Sequence, residues 1–211
     1  RTLAVVAGGW LLLHLALPGH LVMEYTGYDL TGRMAWMKAL PRYGAGASWL
    51  YGWAFALFGI DHTSIQIANR LFGVLTLLPM TALLLSLLGK RGVWALALYV
   101  CLPVVWRDHV SEGIMTGTSW LMMTGLAGVT CSWRNQARPV LLSVSFAPWM
   151  AAVVCRPEVA PALVPIGLAV CTLAVVDAPS GQRKRTALAL VVATLGALCA
   201  LLPHALWLLA E

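Results

Sequence analysis

The sequence predicts an all-α fold, a polytopic transmembrane helical bundle of about seven spans with an interfacial or re-entrant helix in its first outer loop. Three observations predict it. Of the 211 residues, 60% are hydrophobic and only 10% are charged, against roughly 25% charged in a soluble domain; the mean hydropathy is +0.82. The apolar residues fall in runs of near-spanning length. The charged residues fall between the runs and segregate by sign. A soluble globular enzyme is excluded by the first observation, and intrinsic disorder by the same apolar content. At about 20 residues per span plus loops, the chain has room for about seven crossings and no sizeable soluble domain.

The spans are expected over residues 2–19, 65–88, 93–106, 114–133, 140–155, 159–178 and 186–210. The first lacks a clear small-residue cleavage site and reads as a span rather than a removable leader. Segments 93–106 and 140–155 are short and must borrow flanking residues to cross. Segment 48–60 is apolar, but as a helix it is only about 20 Å long, so it reads as juxtamembrane or re-entrant. Residues 1–211 are then a single transmembrane module whose long outer loop, 20–64, carries the juxtamembrane helices. Because the sequence opens on Arg1 rather than Met, it is expected to be a fragment or a reduced form of a longer chain.

Charge gives the orientation. Arg1, Lys90, Arg91, Arg134, Arg138, Arg183, Lys184 and Arg185 share one set of loops with a single acid, Asp177. The other side holds Arg33, Lys38, Arg42, Arg70, Arg107 and Arg156 together with Glu24, Asp29, Asp61, Asp108, Glu112 and Glu158, plus Glu211. Cation-rich short loops stay in the cytoplasm. The N-terminus is therefore expected inside, and the acid-bearing loops outside, as in a bacterial inner membrane. The net charge of +6 belongs to the cytoplasmic loops and does not indicate nucleic-acid binding.

Trp94, Trp106, Trp133 and Trp207 sit near span ends, where an indole anchors at the membrane interface. Cys101, Cys131, Cys155, Cys171 and Cys199 are scattered, odd in number and without a CxxC pair. They read as small packing residues rather than a disulfide frame or zinc site. Pro79, Pro103, Pro148, Pro161, Pro165 and Pro203 are tolerated as kinks in membrane helices. His14 and His204 are expected to be packed within the bundle.

Three polar constellations lie on the acidic side. In the first, a helix over Tyr28–Leu40 would line up Leu30, Met34 and Met37 on one stripe and pair Asp29 with Arg33 at i, i+4. Pro41 would stop it before the permissive Tyr43-Gly44-Ala45-Gly46 turn. The second is Arg107-Asp108-His109-Val110-Ser111-Glu112, where two carboxylates and an imidazole could ligate a hard or borderline cation. The third is Arg156-Pro157-Glu158, with Arg70, after Asn69, at the start of a span. Arg70 could face the same cavity or snorkel to lipid headgroups. Carboxylates beside guanidinium groups suit a reaction in which a base activates a nucleophile next to an anionic phosphate leaving group.

In this order the motifs resemble a family. A first span and a loop acid (Tyr28-Asp29-Leu30) precede Pro41-Arg42-Tyr43-Gly44. Then come Ser48-Trp49-Leu50-Tyr51-Gly52, Leu57-Phe58-Gly59-Ile60 and Ala68-Asn69-Arg70-Leu71-Phe72-Gly73. Leu102-Pro103 precedes Arg107 and Ser111-Glu112, and Arg156-Pro157-Glu158 follows. Across about residues 3–178 this resembles the N-terminal transmembrane module of GT-C-fold membrane glycosyltransferases, the dolichyl-phosphate-mannose mannosyltransferase-like group. The resemblance implies transfer of a sugar from a polyprenyl-phosphate donor to an acceptor at the outer membrane face, with inversion. It implies Asp29 as the catalytic base, with Glu24 the alternative for this first-loop acid, and Glu112 as the second-loop acid that supports the site. Arg33, Arg70, Arg107 and Arg156 are the implied cations for the donor phosphate. No cofactor is assigned, and a divalent cation (Mg or Mn), where one is used, would find its ligands in Asp29, Asp108, His109 and Glu112. The implied partners are the lipid-linked sugar and membrane lipids, with other membrane subunits admitted and nucleic acid not. The chain departs from the family in flanking Asp29 with Tyr28 and Leu30 rather than a second acid. The competing reading is a non-catalytic subunit of the same fold packed in a larger membrane complex.

Overall fold

The computed structural model describes residues 2–16, 45–59, 62–102, 115–134, 139–155 and 160–192, with 194, 195 and 199. The described chain is helical and, among these residues, contains no strand. The helices are α1 (Thr2–Ala16), α2 (Ala45–Phe58), α3 (His62–Leu88), α4 (Gly92–Cys101), α5 (Met115–Arg134), α6 (Pro139–Cys155) and α7 (Ala160–Asp177). Residues 183–192 are helical as well. These elements follow the expected apolar runs. Both doubtful short runs, 93–106 and 140–155, are helices, although α4 stops at Cys101. The expected helix over Tyr28–Leu40 lies outside the described residues.

Residues Thr63–Cys101 are the one apolar helical stretch among the described residues long enough to cross a membrane. A straight helix of 39 residues would be about 58 Å long, nearly twice a hydrocarbon core. The chain reverses instead at Leu88-Gly89-Lys90-Arg91. Gly89 supplies the left-handed φ of +57°, which costs glycine little, and Gly89–Arg91 tighten into a 3-10 turn. Gly92 then passes so close to α3 that a Cβ there would run into the Leu84 carbonyl. The result is an antiparallel hairpin of α3 and α4 with two cations at its tip.

Side-chain contacts give the direction of the other helices. Trp10 Nε1 donates to the Gly73 carbonyl at 3.0 Å, and the Trp10 ring stacks on Tyr99 with centroids 5.6 Å apart. Thr2 and Leu3 lie beside Lys90 and Trp94, so α1 runs antiparallel to α3. In α5, Gly117 abuts Phe72 and Cys131 Sγ reaches the Ala82 carbonyl at 3.7 Å. Thus α5 runs parallel to α3. Gly125 faces Trp149 and Gly128 faces Ser145, which sets α6 antiparallel to α5. Trp133 Nε1 donates to Asp177 Oδ2 at 3.0 Å, bringing the end of α7 to the end of α5.

One consequence is that Lys90, Arg91, Arg134, Arg183, Lys184 and Arg185 occupy the same end of the bundle, all exposed. We call it the basic end. The ends of α1, α4 and α6 and the starts of α3, α5 and α7 lie at the other. Arg70 Nη1 donates to the His14 carbonyl at 2.7 Å, so the chain leaves α1 and enters α3 at the same end. The intervening α2 has 14 residues, about 21 Å of helix. Its core partners, Ile65, Ala68, Phe72, Leu121, Ala152, Val153 and Cys155, belong to that end. Gly59, at φ +88°, closes α2.

Around its apolar core the bundle buries several polar side chains and exposes large apolar ones. His14, Ser64, Asn69, Thr76, Thr116, Thr118, Thr130 and Ser132 are buried, while Val5 (74%), Leu15 (78%), Leu78 (69%) and Leu98 (71%) are largely exposed. Several interior hydroxyls bond their own helix: Thr76 to the Phe72 carbonyl at 2.8 Å and Thr124 to that of Trp120 at 2.7 Å. Pro79, Pro148 and Pro165 lie within helices, while Pro161 sits in the first turn of α7, where an N–H would be unpaired anyway. The five cysteines are unpaired thiols. Cys155 is packed as expected, whereas Cys101 and Cys199 are exposed.

The α5–α6 contact is a close one along two glycines. A Cβ on Gly125 would stand 2.9 Å from Trp149 Cβ and 3.0 Å from the Trp149 backbone nitrogen, and backbone cannot yield as a side-chain tip can. Gly125→Val is expected to destabilise the protein by roughly 1–3 kcal/mol, read as a lowered thermal midpoint in detergent. Gly8→Ala, where nothing lies within 4 Å, should leave the midpoint unchanged or slightly raised.

Candidate functional site

The end opposite the basic one gathers polar groups from four helices. On α1, Trp10 and His14 are one turn apart, and both are fully buried. His14 Nδ1 donates to the Trp10 carbonyl at 2.9 Å, a carbonyl having only acceptor capacity, and the two rings stand 4.4 Å apart. The expectation of a packed histidine is met for His14. His204 lies outside the described residues.

Arg70 comes from the third turn of α3. It is half-buried, and its bond to the His14 carbonyl meets one of the last four carbonyls of α1, which have no partner within their own helix. A cation there is also favoured by the helix dipole. One guanidinium nitrogen is therefore committed to holding α1, and Arg70 does not simply snorkel outward.

Asn69 precedes Arg70 and is fully buried. Its Oδ1 accepts from the Tyr51 hydroxyl at 2.6 Å, and the same hydroxyl oxygen accepts the Gly117 N–H at 3.1 Å. That N–H is one of the orphan donors in the first turn of α5. A single phenol from α2 thus caps α5 and satisfies α3. Phe72 supports it, with its ring 5.5 Å from Tyr51 and 5.4 Å from Trp120. Leu50 fills the space a Cβ on Gly117 would need.

Of the candidate site residues, Arg70 is placed at this end. Asp29, Arg33, Arg107, Asp108, His109, Glu112 and Arg156 lie outside the described residues. The chain enters or leaves their segments through the ends of α1, α4 and α6 and the starts of α2, α5 and α7. Five of these six termini are fixed at the Arg70 end by the helix directions, and α2 packs against that same end. Among the described residues no three His, Cys, Asp or Glu side chains come together as a metal site. Tyr51, His14 and Trp10 were not expected to join Arg70. Their signal in the sequence is slight: a polar Asn69-Arg70 pair inside an apolar run, and a phenol in an otherwise apolar helix.

Comparison of the chain with protein-family models, with curated proteins and with solved structures finds no match.

Two substitutions test this arrangement. Tyr51→Phe leaves the Gly117 N–H and one acceptor of Asn69 without their shared partner, and should cost about 1–3 kcal/mol. Arg70→Gln removes the charge at the α1 terminus and should cost about 1–2 kcal/mol. Thermal unfolding in detergent reads both, and a midpoint unchanged in both variants would contradict the capping roles.

Proposed function

We propose that this chain is a multi-pass integral membrane protein of the glycosyltransferase type, carrying a sugar from a polyprenyl-phosphate donor to an acceptor at the extracytoplasmic face. The observation that carries this reading is topological. The ends of α1, α4 and α6 and the starts of α5 and α7, which flank the segments bearing Asp29, Arg33, Arg107, Asp108, Glu112 and Arg156 in the sequence, lie at one end of the bundle, the end where Arg70 sits. The cation-rich turns lie at the other end, which on the positive-inside rule is cytoplasmic. The large exposed apolar side chains support a bilayer setting, since leucines and valines exposed on α1, α3, α4 and α7 are costly in water and neutral in hydrocarbon. α5, α6 and α7, with 20, 17 and 18 residues, are about 26–30 Å long, close to a hydrocarbon core.

In the proposed reaction the Asp29 carboxylate takes the proton of the acceptor hydroxyl. The oxygen attacks the anomeric carbon from the face opposite the leaving group. The bond from that carbon to the phosphate oxygen breaks, and polyprenyl phosphate departs with the bonding pair. Inversion follows from the single displacement. Guanidinium groups stabilise the charge that grows on the leaving phosphate, and Glu112 holds the site, with a divalent cation where one is used.

Asp29→Asn should lower transfer by about 10²–10⁴-fold in a protein that still unfolds cooperatively, measured with a polyprenyl-phosphate sugar in liposomes. Full transfer by that variant removes the assignment. Orientation is tested separately in a cysteine-free background. A thiol placed at Lys184 should react only with a cytoplasmic reagent and one at Arg107 only with an external one. Labelling of both from the same side contradicts the topology.

A further inference from the structure

We infer that the basic end carries a built site for the headgroup of an anionic phospholipid, in the cleft between the start of α1 and the start of α4. The inference rests on the proposed membrane setting and adds to it a lipid class and a location. The cleft has a volume of about 290 Å³ and is lined by Thr2, Leu3, Lys90, Val93 and Trp94, one hydroxyl, one ammonium, one indole and two aliphatic walls. That set matches an amphiphile with an anionic head.

The site exists because of the hairpin. Gly89 turns the chain within a few residues, so Lys90 and Arg91 stand together at the tip, both exposed. Gly92 draws α4 against α3, leaving the opposite flank of α4 facing α1 across the cleft. The N-terminal end of α4 points here, and its dipole adds to the positive potential. Competition from within the protein is small. Asp177, the one carboxylate among the described residues, is engaged by Trp133 at 3.0 Å, and three cations follow it at 183–185.

The hydrocarbon part is provided for as well. Trp94 is 68% exposed, and one turn on along the same face of α4 comes Leu98 (71%), with Leu102 (49%) following at the helix's C-cap. This apolar row leads from the cleft toward the middle of the bundle, where an acyl chain would lie. An indole at the head of such a row suits the interface, and basic pockets between helices on the cytoplasmic side select anionic headgroups. Charge complementarity thus favours a phosphodiester lipid with net negative charge over a zwitterionic one or a protein helix.

The test is native mass spectrometry of the full chain in detergent, with dioleoylphosphatidylglycerol or dioleoylphosphatidylcholine added. The wild-type chain should retain phosphatidylglycerol in preference. In K90Q/R91Q that preference should fall by about fivefold for each charge removed, with phosphatidylcholine retention unchanged. R183Q/K184Q/R185Q removes charge from the same end outside the cleft and should keep most of the preference. Equal retention of the two lipids by the wild-type chain overturns the site, as does equal loss in both variants, which marks unspecific attraction. Displacement of the lipid by millimolar inorganic phosphate also overturns it, by showing a plain anion site. A chain that stays monodisperse without detergent and retains neither lipid overturns the membrane setting as well, whereas a membrane-embedded chain without preference overturns this site alone.

Discussion

The fold depends on one constraint: helix termini that end inside an apolar environment must have their backbone groups met by other elements. Each α-helix leaves four N–H and four carbonyl groups unpaired, and water is not available to meet them at depth. At the end opposite the basic turns, two side chains meet them across helices. The Tyr51 hydroxyl receives the Gly117 N–H of α5 and donates to Asn69 of α3. The Arg70 guanidinium donates to the His14 carbonyl of α1. These bonds decide which helix ends lie together, because an unmet pair here costs more than a packing contact can return. Exchanging leucine for valine in the surrounding core changes the energy by less than losing either bond.

Between the termini, close approach of helix backbones marks the packing. In the proposed bilayer setting the helices would gain nothing by hiding leucine from solvent, and association would rest on dispersion and on small residues that let backbones approach. Gly125 and Gly128 serve this on α5, where Trp149 and Ser145 occupy the space their side chains would take. Thr76 and Thr124 fold their hydroxyls back on the carbonyls of the preceding turn, which meets them within their own helix. Ser132 Oγ and Thr186 Oγ1 are the buried exceptions among the described residues, and Thr186 borders a small cavity of about 70 Å³ with Asp177 and Trp133. Cross-helix ties thus stand at both ends among the described residues, through Tyr51 and Arg70 at one and through Trp133 and Asp177 at the other.

Element positions were legible in the sequence because apolar runs bounded by charge and glycine are long-range signals that survive any packing. The runs 65–88, 114–133 and 159–178 differ from α3, α5 and α7 by at most three residues. The hairpin at Gly89 was legible too, since Gly89-Lys90-Arg91-Gly92 interrupts two runs. What could not be read was the pairing at the Arg70 end. Snorkelling and capping demand the same residue at the same place, a long cation near the start of a span. Only the position of His14, 56 residues earlier, separates them. Tyr51 was equally opaque, because a phenol in an aromatic segment has no period that marks it as a cap. Exposure of Cys101 was missed for a related reason, since a helix bathed in lipid is apolar on all faces and hides which one turns inward.

The bond between Arg70 and the His14 carbonyl also settles a question of parity. Charge segregation assigns the Lys90 turn to the cytoplasm only if the chain between α1 and α3 makes no net crossing. A full crossing by segment 48–60 would place the end of α1 and the start of α3 at opposite ends, and a 2.7 Å contact between them could not form. It forms, so the chain returns to the end it left. From there each later helix reverses the direction of the one before, and Arg134 and the Arg183–Arg185 run fall at the end that holds Lys90. Sign of charge and direction of helix are independent properties, one read from side chains and the other from hydrogen bonds and glycine contacts. Their agreement at three separate turns gives the proposed orientation more weight than either has alone.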